Sequence, residues 1–517
     1  MKQKKHKALA ATAALLSVAT LAAACSSGST GGSAADGKAP AGATGTAQDQ
    51  KPKVAPKIAI YMNTNAIARK PEGSEPKALE EVTNYVKEQT GVEATAIIPP
   101  KGSEKDKLNV LLASGEQLDL FQGDWDQYKQ AIIPLNDLLN KYGPDIKKAW
   151  DADAWKLMTD KDGKIWGIPR IITTAPFPIW VRADWLKKLN LPMPKTLDEL
   201  EGVLKAFKEK DPDGNGKEDT IPILLDDRFQ YGLVGAFTEF GYSNWVDPKD
   251  GKLKIPELQP GYVDFLAKMA DWYQKGYIYK ETFAKFDVQQ MLKTNRVGAV
   301  DIWYSGLTIN APLVGQTVPE MDYQFIPEIK GPKGYLQTAY PGTTTAMLVT
   351  KSSKNPDAVI KFINWQYQNV ENHLTSWYGI KDKNWKWADQ QKKTVEVTNP
   401  NPYAGEFMVT LGLAMETKYA PSDPLRAKHT QFLNNELTKF DKVKMPVDLG
   451  IVYDKEALKE KVPNAGDLDR LRKEEVIKFI MGARPLSDYN KFVDELYKAG
   501  LDKLIDFQTE EYKKQKK

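Results

Sequence analysis

Residues 54–62 read VAPKIAIYM, and Ile58, Ile60 and Met62 alternate with Ala59 and Tyr61 in the period-two pattern of a strand. The period then changes. Leu79, Val82, Tyr85 and Val86 fall on one face of a helix over 76–91 that opens at Pro76 and stops at Gly91. A second strand is predicted over 92–98, a second helix around 105–114 and a third strand over 119–122. This β-α-β-α-β order predicts a mostly parallel sheet covered by helices. Ligands of such sheets bind beyond the carboxyl ends of the strands, here at Asn63-Thr64-Asn65 and Gly123-Asp124-Trp125. Asn65, Asp124 and Trp125 are therefore candidate contacts, the alternatives being a loop amide cap and a tryptophan packed into the core.

Residues 162–170 (DGKIWGIPR) read as a turn into a short strand ending at Arg170, and 177–186 (FPIWVRADWL) as a strand running into a helix. The first crossing to a second lobe falls there. That lobe is expected to hold helices over 196–210 and 262–275 and a strand over 298–302. A later strand over 343–350 leads through Asn355-Pro356-Asp357, which has the form of a helix N-cap, into a helix over 358–366. There is no internal repeat.

The N-terminus follows neither period. MKQKKHK precedes 17 uncharged small or apolar residues and then Cys25, the pattern of an export signal. The apolar run is shorter than the ~20 residues of a spanning helix. Leu21-Ala22-Ala23-Ala24-Cys25 resembles a bacterial lipobox, although leucine stands one position further upstream than usual, and the resemblance implies a diacylglycerol on Cys25. Residues 26–53 contain no aromatic or long aliphatic side chain, so nothing offsets the entropy of ordering them, and they are expected to form a tether. Function is then expected at the extracellular face of the cell membrane, the protein held there by its lipid.

The 517 residues carry 72 basic and 68 acidic side chains, and Lys2, Lys4, Lys5 and Lys7 account for the whole formal excess of +4. Without a clustered basic face, nucleic acid is not an expected partner. One cysteine and three histidines exclude a disulfide framework, a Cys/His zinc site and a cysteine protease, and no G-x-S-x-G elbow accompanies His373 or His429. Two-carboxylate chemistry survives this test.

Of 13 tryptophans, Trp150, Trp155, Trp185, Trp272 and Trp365 lie in predicted helices with apolar neighbours at helical spacing and read as core. Trp125, Trp180, Trp245, Trp303 and Trp377 fall at loops or strand ends, where a flat ring can stack on the C–H face of a sugar while hydroxyls meet Asp, Asn, Arg or Tyr. Trp303-Tyr304 follows the apolar stretch 297–300. A separate motif, DPDGNGKED over 211–219, matches the opening of an EF-hand loop. Asp211, Asp213, Asn215, the Lys217 carbonyl and Asp219 stand at positions 1, 3, 5, 7 and 9, with Gly216 at the sharp turn. Position 12 is Pro222 rather than glutamate, and 221–225 reads as a strand, so the expectation is structural calcium rather than a signalling pair of helices.

Read in order, the lipobox, DLFQGDW, DGKIWGIPR, VRADWLKKLNLPMPKTLDEL, FKEKDPDGNGKEDTIPI, TTAMLVTKSSKNPDAVIKFINW and EEVIKFIMGARPLSDYNKFVDEL resemble the family 1 solute-binding lipoproteins of carbohydrate ABC importers. The resemblance implies a two-lobed, hinged α/β fold of the periplasmic-binding-protein type (type II). The lobes would close over a solute and dock, as a monomer, on the transmembrane subunits of a permease. It also supplies a precedent for a calcium loop, closed in relatives by an acid just after the ninth position, where this chain has Thr220. The division expected is signal peptide 1–24, lipidated Cys25 and tether 25–53, lobe I over 54–175 and 341–395, and lobe II over 176–340 and 396–517. The favoured solute is an oligosaccharide, contacted by Asn65, Asp124, Trp125, Arg170, Trp180, Trp245, Trp303, Tyr304 and Trp377. The alternatives are a receptor for a peptide or another polar nutrient and, in another class, a lipid-anchored glycoside hydrolase.

Overall fold

The computed structural model describes residues 54–516 apart from 63–72, 101, 171–177, 226–228, 285, 303–317, 327–328, 333, 336–344, 392–393, 399, 410–419 and 422–445. The expectations for Cys25, the leader and the tether, and for Asn65, Trp303 and Tyr304, lie outside the described residues. The chain divides into two units, Met1–Lys53 and Val54–Lys517, and the fold is that of the second.

Its strands in chain order begin with β1 (Lys57–Tyr61), β2 (Glu93–Ile97), β3 (Leu120–Asp124), β4 (Ile168–Pro169), β5 (Ile179–Arg182) and β6 (Ile221–Leu225). They continue with β7 (Trp245–Val246), β8 (Leu253–Lys254), β9 (Val297–Asp301), β10 (Tyr323–Phe325), β11 (Lys330–Gly331), β12 (Gly334–Tyr335) and β13 (Thr345–Val349). One sheet has the order β2-β1-β3-β13-β4 and another the order β10-β5-β9-β6, while β7-β8 and β11-β12 are two-stranded ribbons.

In the first sheet β1 pairs parallel with β2 and β3, as the β-α-β-α-β pattern predicts. β13 enters between β3 and β4 and runs antiparallel to both. Val82 and Val86 of the helix Pro76–Thr90 pack on Ile58 and Ile60, while Leu108, Leu111, Phe121 and Trp125 form a core on the opposite face. In the second sheet β6 and β9 are parallel and β5 is antiparallel to β9 and β10. Leu200, Leu204 and Phe207 of the helix Leu197–Glu209 cover one face together with the C-terminal helices. That helix starts on a capping box, Thr196 Oγ1 accepting from Glu199 N while Glu199 Oε2 accepts from Thr196 N, each at 3.2 Å. Val297, Val300, Tyr323 and Phe325 pack on the other face. In the second sheet β5, β6 and β9 are buried along their whole length, covered on both faces, so they read as apolar runs.

Two local expectations are corrected. Residues 401–409, assigned above to lobe II, belong with the first sheet: Tyr403, Ala404, Phe407 and Val409 are buried in its core. Asn355 does not cap the helix Pro356–Gln368 with its side chain, because its Nδ2 reaches across to donate to the Lys57 carbonyl at 3.0 Å. No described helix is long and apolar enough to cross a membrane.

Candidate ligand-binding site

The strand directions fix where the two sheets look. β3 and β4 end, and β13 begins, at one edge of the first sheet. β6, β9 and β10 end, and β5 begins, at one edge of the second. The chain therefore passes from Arg170 at the carboxyl edge of the first sheet to β5 at the carboxyl edge of the second. It returns to the first edge at Thr345. The first crossing joins carboxyl edge to carboxyl edge and the return enters at the carboxyl edge of the first sheet, which makes the zone between these edges the candidate site.

On the first edge a polar group assembles from chain segments far apart. Thr345 Oγ1 donates to Asp124 Oδ1 at 2.6 Å. One strand over, Arg170 Nη1 donates to Gln122 Oε1. Tyr128 lies over this edge: its ring meets Phe121 edge-on at 5.1 Å, and a Cβ on Gly123 would stand 2.8 Å from it. Glycine at 123 is what lets the ring approach. Burial, helped by the Asp124 carboxylate, pushes the Tyr128 phenol up, so it is a neutral donor near neutral pH. The edge thus offers a carboxylate, a buried guanidinium, an amide and two hydroxyls, a set suited to a polyhydroxylated ligand. Gln122, Tyr128 and Thr345 were not singled out from the sequence. Tyr128 stands four residues beyond Asp124, a weak signal, and Thr345 carried none.

The other expected contacts are placed as follows. Trp125 is buried, donates from Nε1 to the Leu157 carbonyl at 2.8 Å and stacks on Trp166 at 6.5 Å. Lys129 lies against both rings and pairs with Asp160 at 2.8 Å. Burial opposes charge on Asp160, but hydrogen bonds from Lys129 and Trp166 prevail and hold its pKa at about 2. Trp180 has no exposed surface and meets Phe325 edge-on at 5.4 Å inside the second lobe. Trp377 is buried between His373 and Tyr378. Trp245 stacks on Phe240 at 6.1 Å, and its buried Nε1 has no hydrogen-bond partner among the described residues. Its loop is held by Gln259, whose Nε2 donates to the Gly241 and Ser243 carbonyls at 2.8 and 3.1 Å. At the second edge, Asp301 ends β9 with no exposed surface.

The 211–219 loop lies before β6 and apart from both edges. Asp211, at φ 43°, accepts from the N–H groups of Gly214, Asn215 and Gly216 at 2.9–3.2 Å. Asn215 Nδ2 donates to Asp213 Oδ2 at 2.8 Å and to Asp219 Oδ1 at 2.9 Å. One partly positive nitrogen thus occupies the point where two carboxylates converge, so the donor set fits a hard cation once the carboxamide turns its oxygen inward. As it stands, no described group of three or more carboxylates forms a cage.

Residues 70–372 match the bacterial extracellular solute-binding protein family. The fructooligosaccharide ABC transporter substrate-binding protein FusA of Streptococcus pneumoniae is 29% identical over 323 residues, covering 56% of this chain and 59% of FusA. Lipoprotein LipO of Bacillus subtilis is 27% identical over 376 residues, 68% of this chain and 74% of LipO. The solved structure of the N-glycan transport solute-binding protein NgtS of Streptococcus pneumoniae superposes with a TM-score of 0.67 at 18% identity, covering 89% of this chain and 98% of that one. A FusA EF-hand mutant in complex with fructo-nystose superposes with a TM-score of 0.64 at 22% identity, covering 89% and 99%.

Proposed function

Because the chain belongs to the bacterial extracellular solute-binding proteins, we propose that it captures an oligosaccharide between its two lobes and delivers it to an ABC permease. The observation that carries this reading is the carboxyl edge of the first sheet, which bears the Asp124, Thr345, Arg170, Gln122 and Tyr128 group and from which the chain runs on to the carboxyl edge of the second sheet. FusA and NgtS supply the precedent for a saccharide ligand. Asp124, Arg170 and Trp245 are the proposed contacts among the described residues, and Asn65, Trp303 and Tyr304 follow on chain position alone. The packing of Trp125, Trp180 and Trp377 inside their own lobes supports a structural part for those three rings.

Solute bridging the lobes would raise the closed population by as much as it prefers that state. The protein would be a receptor and not a hydrolase, as FusA is a substrate-binding protein, and it would act as a monomer; a lipid on Cys25 would tether it, for which LipO, a lipoprotein, is the precedent. Asp211, Asp213, Asn215, the Lys217 carbonyl and Asp219 would hold structural Ca2+, which would tie the loop together electrostatically. The test is a thermal-shift screen of the protein against oligosaccharides and peptides, with chromatography of the recovered ligand. A ligand at a hundred times its dissociation constant adds about 2.7 kcal/mol. A saccharide that raises the midpoint and returns intact is the expected result. A cleaved saccharide would indicate a hydrolase, and a response to peptides alone would remove the sugar.

A further inference from the structure

The 211–219 loop carries its own cations. Arg296 Nε donates to the Asp219 carbonyl at 2.8 Å and lies 3.1 Å from Asp219 Oδ2, so it engages two of the three oxygens of the ninth loop residue and leaves Oδ1 to Asn215. On the other side, Lys188 Nζ donates to the Pro212 carbonyl at 2.7 Å. Arg296 is not free to leave. It immediately precedes β9, and its own carbonyl accepts from Ile221 N at 2.8 Å at the start of β6. The sheet therefore fixes its backbone beside the loop whether or not a metal is bound.

We propose that Arg296 is a built-in competitor for the cation at this loop, holding Asp219 so that a divalent ion binds only by displacing or sharing with the guanidinium. The inference rests on the reading of the loop as a cation site. The electrostatics follow from the positions. Glutamate is absent at position 12, where Pro222 stands, and no acid follows Asp219, where Thr220 stands. The loop's negative ligands are then Asp211, Asp213 and Asp219, and one of these is already paired. A guanidinium bonded to Asp219 repels a divalent ion bound to the same carboxylate, since like charges a few ångströms apart disfavour each other even near the surface. The consequence is a loop that stays folded without metal and takes calcium weakly, in the range of roughly 0.1–1 mM used by extracellular modules.

Calorimetric titration of CaCl2 into chelator-treated full-length protein in detergent tests this, with Arg296→Gln and Arg296→Lys alongside and thermal melts confirming that each variant is folded. The wild type should bind weakly and Arg296→Gln at least fivefold more tightly. Arg296→Lys, which keeps the positive charge but loses the Nε–H that donates to the Asp219 carbonyl, should fall between them and serves alone if the glutamine variant does not fold. Binding by the variants but not by the wild type would support the inference in its strongest form. Variants that bind no more tightly than the wild type would overturn it while leaving the calcium reading in place. No heat from any of the three up to 10 mM, on the order of ten times the weak end of that range, would overturn both.

Discussion

Ser74 and Glu406, 332 residues apart in the chain, share two hydrogen bonds inside the first lobe: Ser74 N donates to Oε1 at 2.6 Å and Ser74 Oγ donates to Oε2 at 2.5 Å. Ser74 Oγ also accepts from Ala404 N at 2.7 Å, and Glu75 N donates to the Pro402 carbonyl at 2.9 Å. The helix Pro76–Thr90 has no side-chain cap at Glu75, and the 402–406 segment anchors its entry instead. Glu406 is fully buried. Glu406→Gln sets an amide donor against one of two donors on Ser74 and should cost about 2–3 kcal/mol in urea unfolding. Unchanged stability would show that this stitch carries no load.

Asp124 and Thr345 give the most direct mutational test of the first edge. Asp124→Ala should weaken saccharide binding at least tenfold and move the unliganded melting point little, because Asp124 is half-buried at a strand end. Thr345→Val, which removes the hydroxyl that orients the carboxylate, should give a smaller loss of the same kind. A large fall in melting point with unchanged affinity would assign the pair to folding.

Gly261 starts the helix Tyr262–Gln274 at φ 94°, where a Cβ would overlap the Phe237 carbonyl oxygen. Gly261→Ala combines a strained backbone with a backbone clash and should destabilise the protein by about 2–4 kcal/mol. Denaturant midpoints within error of the wild type would contradict this.

His373 is buried beside Trp377, and burial lowers its pKa from 6.5 to about 4. The native state therefore prefers neutral imidazole. The associated stability is complete above the unfolded value near 6.5 and is lost as pH falls toward 4. Unfolding free energy should drop by about 1.5 kcal/mol between pH 6.5 and 5 from this group. His373→Gln should flatten that slope, and an identical slope in the variant would exclude His373 as its source.

The layered α/β architecture was legible because β1 and the helix Pro76–Thr90 carry strong local periods and the second sheet's strands are short apolar runs, and the long motifs of the family carried the two-lobed reading. The ligand-facing rings were not legible in the same way. On β5, Ile179 and Val181 point into one core and Trp180 into the other, because both faces of that sheet are covered. A tryptophan near a strand end thus reads alike whether it faces a cleft or a second core. Asp124 finds Thr345 across 221 residues, and the Arg170–Gln122 contact depends on β13 lying between their strands. No local pattern encodes either. The place of the 401–409 segment is hidden for the same reason, since Glu406 meets Ser74 across 332 residues.

Closure over a saccharide is the central claim, and small-angle X-ray scattering tests it most directly. The protein is measured alone and with a saturating amount of a saccharide that raises its melting point. The account predicts a smaller radius of gyration with the saccharide and no change with a sugar that does not bind. An unchanged radius at saturation would contradict it.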